Sequence, residues 1–153
     1  MNMKYEEAGW NCKDFLLLSN ELDEYLNGAI GGEEKREKYK GFNHLDTMDY
    51  VIIVYEESKP VGCGALRKYS EESMEIKRVF VREAYRKNGV AAEIMERLIS
   101  KAREQGYQNM ILETGEFLPA SVRLYTRFGF ERIQNYGAYV NMEESLCMGM
   151  KIK

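Results

Sequence analysis

The sequence predicts a mixed α/β fold, a single domain over residues 1–153, and three observations carry that expectation. Between residues 48 and 81, the stretches MDYVIIVYEE, VGCGALRKY and MEIKRVFV are rich in β-branched and aromatic residues. The turn signals ESKP and SEES separate them, so they read as three strands, most economically an antiparallel meander. From Gly89 to Gln105 the apolar period changes, with Val90, Ala91, Ile94, Met95, Leu98 and Ala102 on one helical face. YQNMILET then returns as a strand, and a strand–helix–strand crossover joined to a meander makes a mixed sheet.

The remaining elements follow in order. Within NCKDFLLLSNELDEYLNGAIGG, the spacing of Phe15, Leu18, Leu22 and Tyr25 or Leu26 predicts a helix ending near Gly28 or Gly31. The charge run EEKREKYK reads as a solvated turn or short helix. In the helix after Gly89, Glu93 and Arg97 are placed to pair across one turn, and Gly106 supplies the stop. PASVRLYTRFG predicts a short helix with Pro119 in its first turn and Gly129 past its end. FERIQNY and SLCMGMKIK close the chain as strands.

Composition excludes several classes. With 22 Lys and Arg against 25 Asp and Glu, the net charge of −3 argues against a general nucleic-acid binder, which needs a broad basic face. No apolar run approaches the roughly 20 residues that span a bilayer, and the start MNMKYEEAGW has no apolar signal core. Cys12, Cys63 and Cys147 with His44 form no metal-site spacing, so free thiols in a reducing cytoplasm and no metal are expected.

The loop YRKNGVAA is the unusual stretch. It places Arg86, Lys87 and Gly89 where a helix begins, although cations there oppose the helix dipole. Bare amides at a helix start, with small residues allowing close approach, suit an anion. The residues themselves leave a pyrophosphate cradle and a plain exposed loop both open. No Gly-Lys-Ser/Thr follows, and the three spaced glycines of a dinucleotide fingerprint are missing.

The segment MEIKRVFVREAYRKNGVAAEIMERL resembles the acetyl-CoA-binding core of the GNAT N-acetyltransferases. The family pattern Gln/Arg-x-x-Gly-x-Gly/Ala is matched by Arg86-Lys87-Asn88-Gly89-Val90-Ala91. The block PASVRLYTRFGFERI is similar to the later family motif, in which a Leu-Tyr pair precedes Gly-Phe. VGCGALR, EIKRVFV, LETG and YGAY…SLCMGMK resemble a group of small bacterial acetyltransferases.

The resemblance implies a mostly antiparallel sheet with a central splayed parallel pair flanked by helices. It implies transfer of acetyl from the co-substrate acetyl-CoA to a primary amine by direct attack in a ternary complex. The acceptor would be a small molecule or a peptide, and a homodimer would be in keeping with the family. By the same resemblance the pantetheine arm lies between MEIKRVFV and QNMILET, against Val79, Phe80 and Val81. The amides of Arg86, Lys87, Asn88, Gly89, Val90 and Ala91 hold the pyrophosphate. A backbone N–H polarises the acetyl carbonyl. Where the family often has an Asn seven residues before its tyrosine, this chain has Leu118, and Ser121 is the nearby substitute.

Two side chains are candidates for moving protons. Tyr125 matches the family tyrosine near the thioester sulfur and reads either as a proton donor to the thiolate or as a core aromatic. Glu75 matches a strand position that some members use for a general base. Alternation puts it on one face with Lys77 and Val79, so a structural Glu75–Lys77 pair is the competing reading. Cys63 and Cys147 read as packing, His44 as an exposed loop residue, and Trp10, Tyr136 and Tyr139 as packing or as shapers of the acceptor site. The alternative function is a non-catalytic acyl-CoA-binding sensor or regulatory module.

Overall fold

The computed structural model describes residues 2–32 and 44–153. In chain order its elements are β1 (Met3–Ala8), α1 (Lys13–Ile30), β2 (Tyr50–Glu56), β3 (Lys59–Lys68), β4 (Ser73–Val81), α2 (Val90–Glu104), β5 (Asn109–Gly115), α3 (Pro119–Phe128), β6 (Glu131–Ile133) and β7 (Ser145–Lys151). The charge run over 33–40 lies outside the described residues.

The seven strands form one sheet in the order β1-β2-β3-β4-β5-β7-β6. β1 through β4 are successive antiparallel neighbours, as the meander predicts. Only the β4–β5 contact is parallel, because α2 carries the chain back across the sheet between those strands.

Each face has its own core. On one, Ile94, Met95 and Leu98 of α2 pack with Ile52, Leu66, Ile76 and Leu112 of the sheet and with Tyr125 of α3. On the other, Phe15, Leu18 and Leu22 of α1 pack on Val51, Ile53, Cys63 and Phe80. The spacing that announced α1 is its buried stripe; Leu26 packs at the margin of that core, whereas Tyr25 faces outward. The helix runs through Gly28 and stops at Gly31, whose φ of 103° is the left-handed cap conformation. At Gly64 in β3 a Cβ would stand 2.6 Å from Ile94 Cγ2, so glycine there lets α2 approach the sheet.

Three expectations need correction. β1 has no counterpart in the sequence reading, because MKYEEA is half charged and too polar to announce a strand. It is an edge strand, and pairing with β2 holds it in place. The strand expected over FERIQNY shrinks to Glu131–Ile133. Asn135 turns the chain away: its Nδ2 donates to the carbonyls of Tyr139, Met142 and Ser145 at 3.1, 3.2 and 3.3 Å.

Val79 is also not on the face of Glu75 and Lys77. The β3–β4 register jumps from Ala65↔Lys77 to Cys63↔Phe80, so Gly64 faces both Arg78 and Val79. That bulge restarts the alternation. Arg78, at φ 60°, reaches α1, and Val79 joins the α2 core.

Candidate active site

The parallel pairing of β4 with β5 runs only from Ser73↔Asn109 to Ile76↔Leu112. Beyond it β4 continues to Val81 and β5 to Gly115 without facing each other. The bulge at Arg78 lies at this point of parting, and local twist at a bulge increases divergence. A cleft of about 440 Å³ opens there, walled by α1 and α3. Val79, Phe80, Val81, Arg86, Lys87, Ala91, Ser121, Tyr125 and Glu75 all line it.

At one end stands the loop before α2. Gly89 is its N-cap at φ 78°, and no side chain caps the first helical amides. Lys87 is also left-handed, at φ 64°. A Cβ on Gly89 would meet nothing within 4 Å, so the loop is open toward a ligand. Lys87 is exposed. The Arg86 guanidinium lies 4.9 Å from the Tyr25 ring, and its Nε donates to Val81 O at 2.8 Å. Asn88 is exposed, and its side chain folds back along the loop to donate to the Arg86 carbonyl at 3.2 Å, which shapes the loop. The Val90 side chain is buried in the core, leaving its backbone as the part available to a ligand. These features fit a diphosphate: open amides, a cation and no competing cap.

At the other end stand the ionisable groups. Tyr125, 8% exposed, packs edge-on against Phe130 with ring centroids 6.1 Å apart. Burial, with the Glu113 charge adding to it, pushes the Tyr125 phenol up to about 12. It therefore keeps its proton at neutral pH, as a donor must. The helix cap positions this ring: after Gly129 turns left-handed, Phe130 N donates to Tyr125 O at 3.1 Å.

Glu75, 1% exposed, is held on several sides. Tyr136 donates its hydroxyl proton to Glu75 Oε2 at 2.6 Å, and Lys77 Nζ lies 4.0 Å from the same oxygen. Arg67 Nη2 lies 3.3 Å from Oε1, an ion pair outside hydrogen-bond geometry, which leaves Oε1 without a hydrogen-bond donor. Burial lowers the Lys77 pKa while Glu75 opposes that shift, and Lys77 donates to Tyr139 Oη at 3.1 Å. The structural pair and the cleft-lining carboxylate are thus one arrangement.

Glu113 is the residue the sequence reading missed. It lies on β5 where the strands have parted, lines the cleft and accepts a 2.8 Å hydrogen bond from Ser145 Oγ. The available signal was the LETG segment, with an acid two residues before a glycine at the end of a strand. Leu118 also lines the cleft, beside Ser121. Cys63 is fully buried, its thiol pushed up to about 12 by burial, which suits packing rather than nucleophilic attack. Cys147 is likewise buried and pushed up to about 11. His44 is exposed. Among the described residues, no three His, Cys, Asp or Glu side chains gather as a metal site, and no helix is long and apolar enough to cross a membrane.

A sequence model of the acetyltransferase (GNAT) family matches residues 16–130. The chain belongs to that family. By class it is an acetyl-CoA-dependent N-acetyltransferase. It is 32% identical over 101 residues to the uncharacterized N-acetyltransferase YsnE of Bacillus subtilis, a match covering 64% of this chain and 66% of that protein. It is 28% identical over 130 residues to an IAA acetyltransferase of Azospirillum brasilense, covering 80% of each. Its fold superposes with a TM-score of 0.77 on the PaiA N-acetyltransferase of Thermoplasma acidophilum, solved in complex with coenzyme A. That match covers 99% of both chains at 14% identity. The GNAT fold expected from the motifs, with its single parallel strand pair, is the one observed.

Proposed function

We propose that this chain acetylates a primary amine by direct attack on acetyl-CoA within the cleft, the acceptor being a small molecule or a peptide. The observation that carries the reading is the parting of β4 and β5 after Ile76 and Leu112, with Tyr125 lining the gap. Acetyl-CoA supplies an acyl group already activated as a thioester. The protein's own residues bind, orient and move protons. The open amides of residues 87–91 hold the diphosphate, with Lys87 adding charge; the Arg86 amide, expected among them, is already spent on Glu83 O at 3.2 Å. Beyond the end of the β4–β5 pairing, the backbone of Val79 and Val81 pairs with the pantetheine arm as another strand would, although Val81 O already accepts from Arg86 Nε. Tyr125 gives its proton to the departing sulfur, or hydrogen-bonds it.

The attacking ammonium must lose a proton, and two cleft carboxylates are in place to take it. Glu75 is held by Tyr136, Arg67 and Lys77. Glu113 is held by Ser145 and lies close enough to Tyr125 to raise its pKa. We expect Glu113→Gln to lower kcat about 10²-fold, with Glu75→Gln the milder of the two. The reverse order would assign the proton to Glu75.

The direct test is release of free thiol from acetyl-CoA against a panel of amines, alongside calorimetry of acetyl-CoA binding. Heat of binding, with thiol release only when an amine is present, is the expected result. Binding without transfer across the panel would instead support the acyl-CoA sensor. No heat at millimolar coenzyme A would overturn both readings.

A further inference from the structure

We propose that Arg78 is a positioning residue for acyl transfer: by tying the β4 bulge to α1, it sets where the backbone of Val79 and Val81 meets the thioester. The inference rests on the acetyltransferase reading of the cleft and names a residue outside the family motif.

Three observations support it. Arg78 holds φ at 60°, a left-handed conformation that a non-glycine residue enters at a cost and keeps only where its surroundings enforce it. What enforces it here is α1. Arg78 Nη2 donates to Ser19 O at 2.6 Å and to Asp23 Oδ1 at 3.0 Å. Its own carbonyl receives the Cys63 Sγ–H at 3.3 Å, so the bulged peptide is fixed on both sides.

The third observation is that this arrangement is poor at stabilising the fold. Arg78 is 6% exposed, and its Nε and the neighbouring Ser19 Oγ are buried without hydrogen-bond partners. A buried cation with an unmatched N–H is costlier than an apolar side chain packed on the same helix. Other contacts also dock α1, among them its apolar stripe of Phe15, Leu18 and Leu22. Arg82 grips Glu21 through two hydrogen bonds of 2.8 and 2.7 Å, without touching the bulge. A contact that is strained, incompletely satisfied and one of several docking the helix, yet lies where the strands part, is explained by what it positions.

The test separates positioning from folding. Arg78→Gly keeps the left-handed backbone without strain and deletes the tether. Arg78→Lys keeps the charge but moves the donor, a single Nη2 that serves both acceptors, onto a shorter stem of different shape. Arg82→Gln breaks the other tether as a control. For each, kcat and KM come from thiol release, the acetyl-CoA Kd from calorimetry, and folding from the melting temperature. Expected is a kcat loss of about ten- to a hundredfold in Arg78→Gly with Kd unchanged. Arg78→Lys should fall between, and Arg82→Gln should lower the melting temperature while leaving kcat unchanged.

Wild-type turnover in folded Arg78→Gly would overturn the proposal, as would an equal kcat loss in Arg82→Gln. If Arg78→Gly does not fold, unchanged kcat in Arg78→Lys overturns it instead. An absence of acetyl-CoA binding by the wild type would fail the transferase reading itself, an outcome distinct from a normal wild type with unaffected variants.

Discussion

The two halves of the β4–β5 pair are built from the same strands by opposite rules. In the lower half, Ser73 to Ile76 and Asn109 to Leu112 pair in regular register, and Met74, Ile76, Met110 and Leu112 are buried in the core. In the upper half the pairing ends, β4 bulges, and the side chains turn ionic: Lys77, Arg78 and Glu113. The lower half satisfies its backbone internally and buries apolar surface, with Glu75, which lines the cleft, as its one buried charge. The upper half leaves backbone groups facing a cleft and spends buried charge around them. The site is the place where the strand stops behaving as a strand.

That contrast predicts that substitutions at the open end change binding or turnover, and those of the apolar residues at the paired end change stability. The largest effect is expected at Gly89. Gly89→Glu places bulk and negative charge in the diphosphate loop, and calorimetry should show no acetyl-CoA binding at all. Because the position is exposed and open, the fold should lose only about 1–2 kcal/mol, for a left-handed non-glycine residue. A folded variant that binds normally would remove the diphosphate loop from the site.

Next is Tyr125→Phe, expected to lower kcat about 10²-fold while the acetyl-CoA Kd stays constant. Burial holds the Tyr125 phenol up near 12, so the expected alkaline fall from its ionisation lies well above neutral pH. Equal turnover in the variant would return Tyr125 to a purely packing role. The smallest effect on catalysis belongs to Leu112→Ala in the paired half. It should cost about 2–5 kcal/mol of stability in denaturant unfolding, with kcat per folded molecule near wild type. A kcat loss there larger than that of Tyr125→Phe would break the comparison between the halves.

The sequence revealed most where local chemistry is unambiguous. The period-3.6 stripe of Ile94, Met95 and Leu98, the β-branched run Val51 to Val54, and Gly31 and Gly129 as helix stops all correspond to observed elements. The family blocks around Arg86 and Tyr125 pointed to residues that line one cleft, although the two lie 39 residues apart in the sequence and share the cleft only through folding. Three features were not legible. β1 is half charged, and its partner strand is far along the chain. The bulge at Arg78 depends on a contact with Ser19 and Asp23, 59 and 55 residues away, which no local pattern records. Glu113 looked like one more acid at a strand end, and only the parting of β4 from β5 makes it face the cleft.

The borders of the sheet carry a last implication. One border is β1, whose Lys4, Glu6 and Glu7 are exposed, and the other is β6, a mere three residues long. Charged or very short borders are poor templates for a second chain to extend. Crowded copies of this molecule are therefore guarded against zipping strand to strand into fibrils, and any pairing between two of them is better sought on helix and loop surfaces.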